Sequence, residues 1–260
     1  LIGGVAGTAN EFIDRQMIKY LVPTGAMAQL GVYGAITKIA VVMTLFTQMY
    51  RLAAEPFFLS NFRKEEFVES NAAALKYYVM VAMAIFLFIA LFRDLFALIL
   101  GRDFREGIFI LPVVLGANVL SGVWFNLSFW YKREEKTRFA IYVTFTGLLF
   151  TVVFNVVLVP RWGYYGAAWA RLIAEGAMVA LSYTLNRRYF PTPYQTGRIA
   201  TYVAAGLALF AASELFARHA GAPTAVQYVV NVLLIGIYCL YAVWREHIDV
   251  RALAAAVVHR

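Results

Sequence analysis

Glu11, Asp14, Arg15 and Lys19 are spaced by steps of three and four residues, so on a helix they fall along one side. Thr44, Gln48, Arg51 and Glu55 form a second set, lying within about 60° of one another at 100° per residue. Both sets sit in otherwise apolar surroundings, where an ionisable side chain at mid-helix costs about 2.5–3.5 kcal/mol and so faces a partner or a wet cavity. If the two stripes line one wall of a cavity, Arg15 and Arg51 suit a phosphate, because the planar guanidinium donates paired hydrogen bonds and never loses its charge. Thr44 and Gln48 then suit hydroxyl groups of the same ligand, with Glu55 beside them. The alternative is internal bracing, since Glu11 with Arg15 and Arg51 with Glu55 stand four apart and are spaced for ion pairs. Glu11 and Asp14 are also candidates for holding a proton or sodium ion. Arg171 and Glu175 are again four apart, on the same face as Ser182 and Asn186, and read as a structural pair. Lys19 and Lys38 read as side chains that reach toward the outer face.

The elements that must position these groups are long apolar stretches. Gly107–Tyr131, Phe139–Pro160 and Ala220–Trp244 contain no Asp, Glu, Lys or Arg, and each reaches the roughly 20 residues needed to cross a bilayer's hydrocarbon. Hydrophobic residues make up 62% of the chain and charged residues 15%, against about 45–50% and about 25% in soluble domains. Strand-period alternation is absent, so the expected fold class is an all-α membrane protein. Eight spans are expected, at about Leu1–Leu21, Gly31–Ser60, Ala73–Leu98, Gly107–Tyr131, Phe139–Val159, Tyr164–Asn186, Ile199–Phe216 and Ala225–Trp244. The net charge of +8 is spread over the connections rather than gathered on one face, which argues against nucleic acid. The single cysteine, Cys239, excludes an intrachain disulfide and a zinc cluster, and His219, His247 and His259 are too scattered for a metal site.

Charge in the connections orients the spans, because cytoplasmic loops retain an excess of Lys and Arg. Twelve basic residues, Arg63, Lys64, Lys132, Arg133, Lys136, Arg138, Arg187, Arg188, Arg198, Arg245, Arg251 and Arg260, fall on one side against four, Arg102, Arg105, Arg161 and Arg218, on the other. The C-terminus is therefore expected in the cytoplasm. Pro56 and Pro112 are expected to bend the second and fourth spans. Gly163, Gly166, Ala167 and Ala168 should let another backbone approach closely. Tyr131–Arg138 reads as a solvated turn, and Arg245–Arg260 as an amphipathic stretch on the membrane surface. The start at Leu1, already in an apolar helical pattern, suggests the C-terminal piece of a longer protein.

Asn155–Gly176, NVVLVPRWGYYGAAWARLIAEG, resembles the polysaccharide flippases of the multidrug/oligosaccharidyl-lipid/polysaccharide exporter superfamily. The shared pattern is an Asn-led helix end, a Pro, a Gly turn and a Gly-Ala-Ala helix start, here Asn155, Pro160, Gly163, Gly166, Ala167 and Ala168. AGTANEFIDRQMIKYLVP with LGVYGAITKIAVVMTLFTQMYRLAAEPFF looks like the seventh and eighth helices of the lipopolysaccharide-biosynthesis members, and RRYFPTPYQTGRI is similar to a later connection. Arg171 departs from the pattern, since many members carry a small or hydroxyl residue there. Members have fourteen helices, so the resemblance implies that residues 1–187 are a second six-helix lobe, 188–244 an additional helix pair and 245–260 a cytoplasmic tail. It further implies a non-enzymatic transporter without cofactor in a bacterial inner membrane. Its passenger would be a polyprenyl-diphosphate-linked oligosaccharide, and its partners membrane lipids and a missing N-terminal lobe. A lipid II flippase or a multidrug or cation antiporter of the same superfamily are the rivals. A membrane sugar polymerase or ligase would need a large outer loop with catalytic Arg or His, and the outer loops here are short.

Overall fold

A computed structural model describes residues 13–62, 66–220 and 223–247. The described residues are 89% helical and contain no strand, as expected where a backbone in hydrocarbon must satisfy its own polar groups. The helices are α1 (13–21), α2 (Ala26–Ile39), α3 (Val41–Asn61), α4 (Phe67–Leu91), α5 (Arg93–Ala97), α6 (Leu111–Leu127), α7 (Phe129–Arg133), α8 (Arg138–Trp162), α9 (Tyr164–Tyr189), α10 (Thr196–Ala220) and α11 (Thr224–Glu246), with a 3-10 stretch at Arg102–Ile110 leading into α6. Glu11 and the stretch 248–260, where the surface helix was expected, lie outside the described residues.

Among the described residues, five helical runs are long and apolar enough to span a bilayer: α4, Arg102–Arg133, α8, Thr196–His219 and α11. A sixth is added if α2 and α3 count as one bent span. This is a multi-pass helical membrane chain. Its outward faces agree, since the most apolar windows of α8, α10 and α11 are only 22%, 17% and 17% buried, leaving apolar surface that water would not tolerate. The expected span at Tyr164–Asn186 is helical, as α9, but it is not among the runs apolar enough to cross, and Arg171 and Glu175 lower its apolarity; the expected count of eight spans is therefore not reached among the described residues. Only residues 13–21 of the first expected span are described.

Pro56 lies inside a continuous helix, and Pro112 lies where the 3-10 stretch passes into α6. In the opening turn of a helix the missing N–H of proline would lack an intrahelical partner anyway. A bend of 52° falls between α2 and α3. Ala40 there has ψ −8°, well short of a regular helix. On either side a threonine hydroxyl donates back to the preceding turn, Thr37 Oγ1 to the Gly34 carbonyl at 2.9 Å and Thr44 Oγ1 to the Ala40 carbonyl at 3.4 Å. Back-bonding of this kind bends helices.

α9 packs against both α8 and α6, α6 also packs against α3 and α4, and α4 receives α10 and α11. Side-chain contacts gather the basic connections at one end of the bundle. Lys132 Nζ lies 2.9 Å from Glu55 Oε1, Arg133 stands over the Phe67 and Phe190 rings, and Asn71 Nδ2 donates to Tyr194 at 3.1 Å. At the other end Arg93 Nη2 lies 2.9 Å from Glu214 Oε1, and the Gln29 side chain accepts from the Tyr164 N–H at 3.1 Å.

The small-residue run works as expected. Gly163 has φ 56°, a region glycine reaches without steric penalty, and turns α8 back onto α9. A Cβ at Gly166 would sit 2.5 Å from the backbone carbonyl of Leu158. Backbone cannot yield there, so Gly166→Ala is expected to destabilise the protein by about 1–3 kcal/mol. Thermal unfolding checks this against Gly34→Ala, where a Cβ meets nothing within 4 Å and no loss is expected.

Candidate functional site

The bend at Ala40 opens a recess of about 180 Å³ bounded by residues of α1, α2, α3, α6 and α9. Its polar lining consists of Arg15, Lys38 and Arg171 with Tyr33, Thr37, Thr44 and Asn118; Ala40, Val41 and Val114 complete it. Three cations thus converge with three hydroxyls, and among the described residues no carboxylate lines the recess. Arg171 is the eighth residue of α9, about 10 Å along the helix from its start at 1.5 Å per residue, so the recess lies within the bundle and not at either end.

Asn118 organises the far wall. Its Oδ1 accepts from Arg171 Nη2 at 3.1 Å, and its Nδ2 donates to Thr44 Oγ1 at 3.2 Å. Thr44 in turn donates to the carbonyl of Ala40 at the bend. One amide on α6 therefore links a guanidinium on α9 to the first turn of α3. Arg15 and Lys38 are exposed at the recess. Half-buried and exposed cations with hydroxyls beside them suit an anionic group bearing further hydroxyls, because guanidinium and ammonium both donate charge-assisted hydrogen bonds to oxyanions.

Of the residues the sequence points to, Arg15 and Thr44 line the recess; Arg51, Gln48 and Glu55 do not. The reason is helix rise, which carries Arg51 about 10 Å along α3 from Thr44 despite the shared face. Arg51 stacks on Phe125 at 4.5 Å and Trp124 at 5.5 Å, contacts that act as a brace between α3 and α6. The spacing of Arg51 and Glu55 suggests a pair with each other, but Glu55 joins Lys132 of α7. Gln48 is exposed on α3. Asp14 is buried behind the recess, accepting from Asn155 Nδ2 at 2.9 Å and from the Tyr33 hydroxyl at 3.5 Å, so it ties α1 to α8 and α2. Among the described residues no group of three His, Cys, Asp or Glu is placed to hold a metal ion.

Lys38 and Arg171 join the recess although their positions alone suggest a membrane-edge lysine and an internal pair. The signal for Arg171 is a charge that follows seven uncharged residues at the start of α9. Lys76 and Glu246 are missed altogether. Lys76 Nζ bonds Glu246, which also accepts from the Tyr202 hydroxyl at 2.6 Å and lies 3.6 Å from Arg198. This second charged cluster clamps α11 and α10 onto α4 at the basic end. The available clue is a lysine three residues inside an expected span. No family model, curated protein or solved structure matches the chain.

Proposed function

We propose that this chain is the translocating lobe of a flippase that carries a polyprenyl-diphosphate-linked oligosaccharide across a bacterial inner membrane. The observation that supports the reading is the tricationic, hydroxyl-lined recess at a broken helix inside a membrane bundle. Irregular backbone at membrane depth is tolerated where it lines a polar cavity. A diphosphate brings two or more negative charges to Arg15, Lys38 and Arg171, while Tyr33, Thr37 and Thr44 meet the adjoining sugar. The lipid tail stays in the bilayer alongside the apolar outer faces. The headgroup crosses as this lobe and its N-terminal counterpart rock between inward-open and outward-open states, with the basic end and C-terminus in the cytoplasm. No covalent bond changes, so the role is that of a transporter and not an enzyme.

A cation or multidrug antiporter fits less well, since a positively charged drug would meet the exposed cations Arg15 and Lys38 in the recess lining. The deciding experiment reconstitutes the full-length protein in vesicles and follows a polyprenyl-diphosphate oligosaccharide from one leaflet to the other. Protein-dependent translocation of that lipid, but not of the dephosphorylated polyprenyl glycoside, is expected. Equal movement of both lipids, or of neither, contradicts the reading. Running lipid II in parallel separates the oligosaccharide passenger from a peptidoglycan precursor.

A further inference from the structure

At the basic end of the bundle most cations already have partners. Lys132 pairs with Glu55, Lys136 with Glu134 and Arg198 with Glu246, while Arg133 stands over the Phe67 and Phe190 rings. Arg138 at the start of α8, and Arg187 and Arg188 at the end of α9, are exposed and pair with no carboxylate among the described residues. An aromatic floor joins two of them. Arg138 stands 5.4 Å from the centre of the Phe139 ring, that ring lies 4.9 Å from Tyr189, and Arg188 stands 5.6 Å from the centre of the Tyr189 ring. Tyr142, whose ring also touches Phe139, is exposed beside them.

Below Arg138 the surface changes character. Tyr142, Phe145, Leu149 and Val156 follow it at helical spacing, within about 60° of one another at 100° per residue, and all four are exposed. From Arg138 to Leu149 is about 16 Å at 1.5 Å per residue, or about half of the roughly 30 Å of a bilayer's hydrocarbon. The stripe has the proportions of one lipid, with cations and phenols at the head and one leaflet's depth of apolar contact beneath.

We propose that the corner formed by α8 and α9 binds an anionic phospholipid of the leaflet at the basic end, its phosphate held by Arg138 and Arg188 and an acyl chain lying along α8. Guanidinium donates paired hydrogen bonds to phosphate oxygens, tyrosine rings settle at headgroup depth, and a basic patch draws anionic lipid from the surrounding leaflet. None of the residues lining the recess belongs to α8. This lipid is therefore a bound neighbour and not the passenger, and its site stands whether or not the recess takes an oxyanion.

A photoreactive residue in place of Tyr142 in the full-length protein reads which lipid lies at the corner, in vesicles of about one phosphatidylglycerol to four phosphatidylcholine. Phosphatidylglycerol should be captured about 5-fold or more above its share of the bilayer, and Arg138→Gln with Arg188→Gln should bring capture to within about twofold of that share. Arg218→Gln, which removes an exposed cation at the opposite end, should change nothing. The same photoreactive residue at Trp162, exposed at the other end of α8, should capture the two lipids in proportion to their abundance. Proportionate capture at Tyr142, enrichment that survives the double variant, or equal enrichment at Trp162 overturns the proposal. Displacement of phosphatidylglycerol by a small admixture of polyprenyl diphosphate also overturns it, since the corner would then be a station of the passenger. Both arginines are exposed, so the double variant keeps the buried packing; if it fails to insert, the comparison of Tyr142 with Trp162 in the otherwise unchanged protein decides.

Discussion

Neutralising Arg15 and Lys38 together, as Arg15→Gln with Lys38→Gln, is expected to slow translocation of the diphosphate-linked oligosaccharide by about 100-fold or more. Both side chains are exposed at the recess, so neither substitution removes buried packing. Each charge-assisted hydrogen bond lost to a phosphate is worth about 1.5–3 kcal/mol, and about 1.4 kcal/mol is tenfold; two such losses therefore reach the stated size even if they are not fully additive. Arg171 remains, held by Asn118, which leaves a residual rate. The initial rate in vesicles, at equal amounts of inserted protein, is the measurement. The charge-preserving pair Arg15→Lys with Lys38→Arg should recover most of it. A loss smaller than about threefold would mean that these cations do not hold the headgroup.

The second large effect concerns stability. Lys76 and Glu246 have side chains only 5% and 3% exposed, and Tyr202 adds a hydrogen bond to the same carboxylate. Removing one member of a buried pair leaves an uncompensated charge and costs about 3–5 kcal/mol. Glu246→Ala should therefore lower the thermal unfolding midpoint by about 10 °C in detergent, at about 2–4 °C per kcal/mol for a chain of this size. The double variant Lys76→Met with Glu246→Leu should regain more than half of the loss, because both charges are then absent and the volume is refilled. Arg93→Gln, at the opposite end of the bundle, makes a useful comparison. Its pair with Glu214 is more exposed, at 15% and 26%, and the expected drop is correspondingly smaller.

Helix positions were legible in the sequence wherever apolar runs are uninterrupted, because composition over about 20 residues outweighs any local preference. Alternation of basic and poor connections likewise foretold the two ends that the contacts between Lys132 and Glu55, and between Arg93 and Glu214, now separate. The bend at Ala40 was hidden because no proline or glycine marks that position, and two threonine hydroxyls shape it through bonds available equally to a straight helix. Arg15 and Thr44 could be chosen from facial spacing, yet spacing around a helix says nothing of depth along it, so Arg51 was grouped with a recess it does not line. Arg171, Asn118 and Thr44 come from three helices, successive partners standing 53 and 74 positions apart in sequence; helical periodicity does not connect them. For Lys76 the sequence shows that a partner is required, while its identity, 170 residues away, emerges only from packing.

Capture of the headgroup at the bend tests the recess most directly. A photoreactive residue in place of Val41, which is 44% exposed and lines the recess, should cross-link the sugar-diphosphate headgroup of a labelled lipid-linked oligosaccharide in the full-length protein. Arg15→Gln with Lys38→Gln should abolish that cross-link, whereas the same photoreactive residue at Val232 on α11 should capture the lipid tail instead. Headgroup capture as strong at Val232 as at Val41, or none at Val41 while translocation proceeds, would show that the passenger crosses by another route.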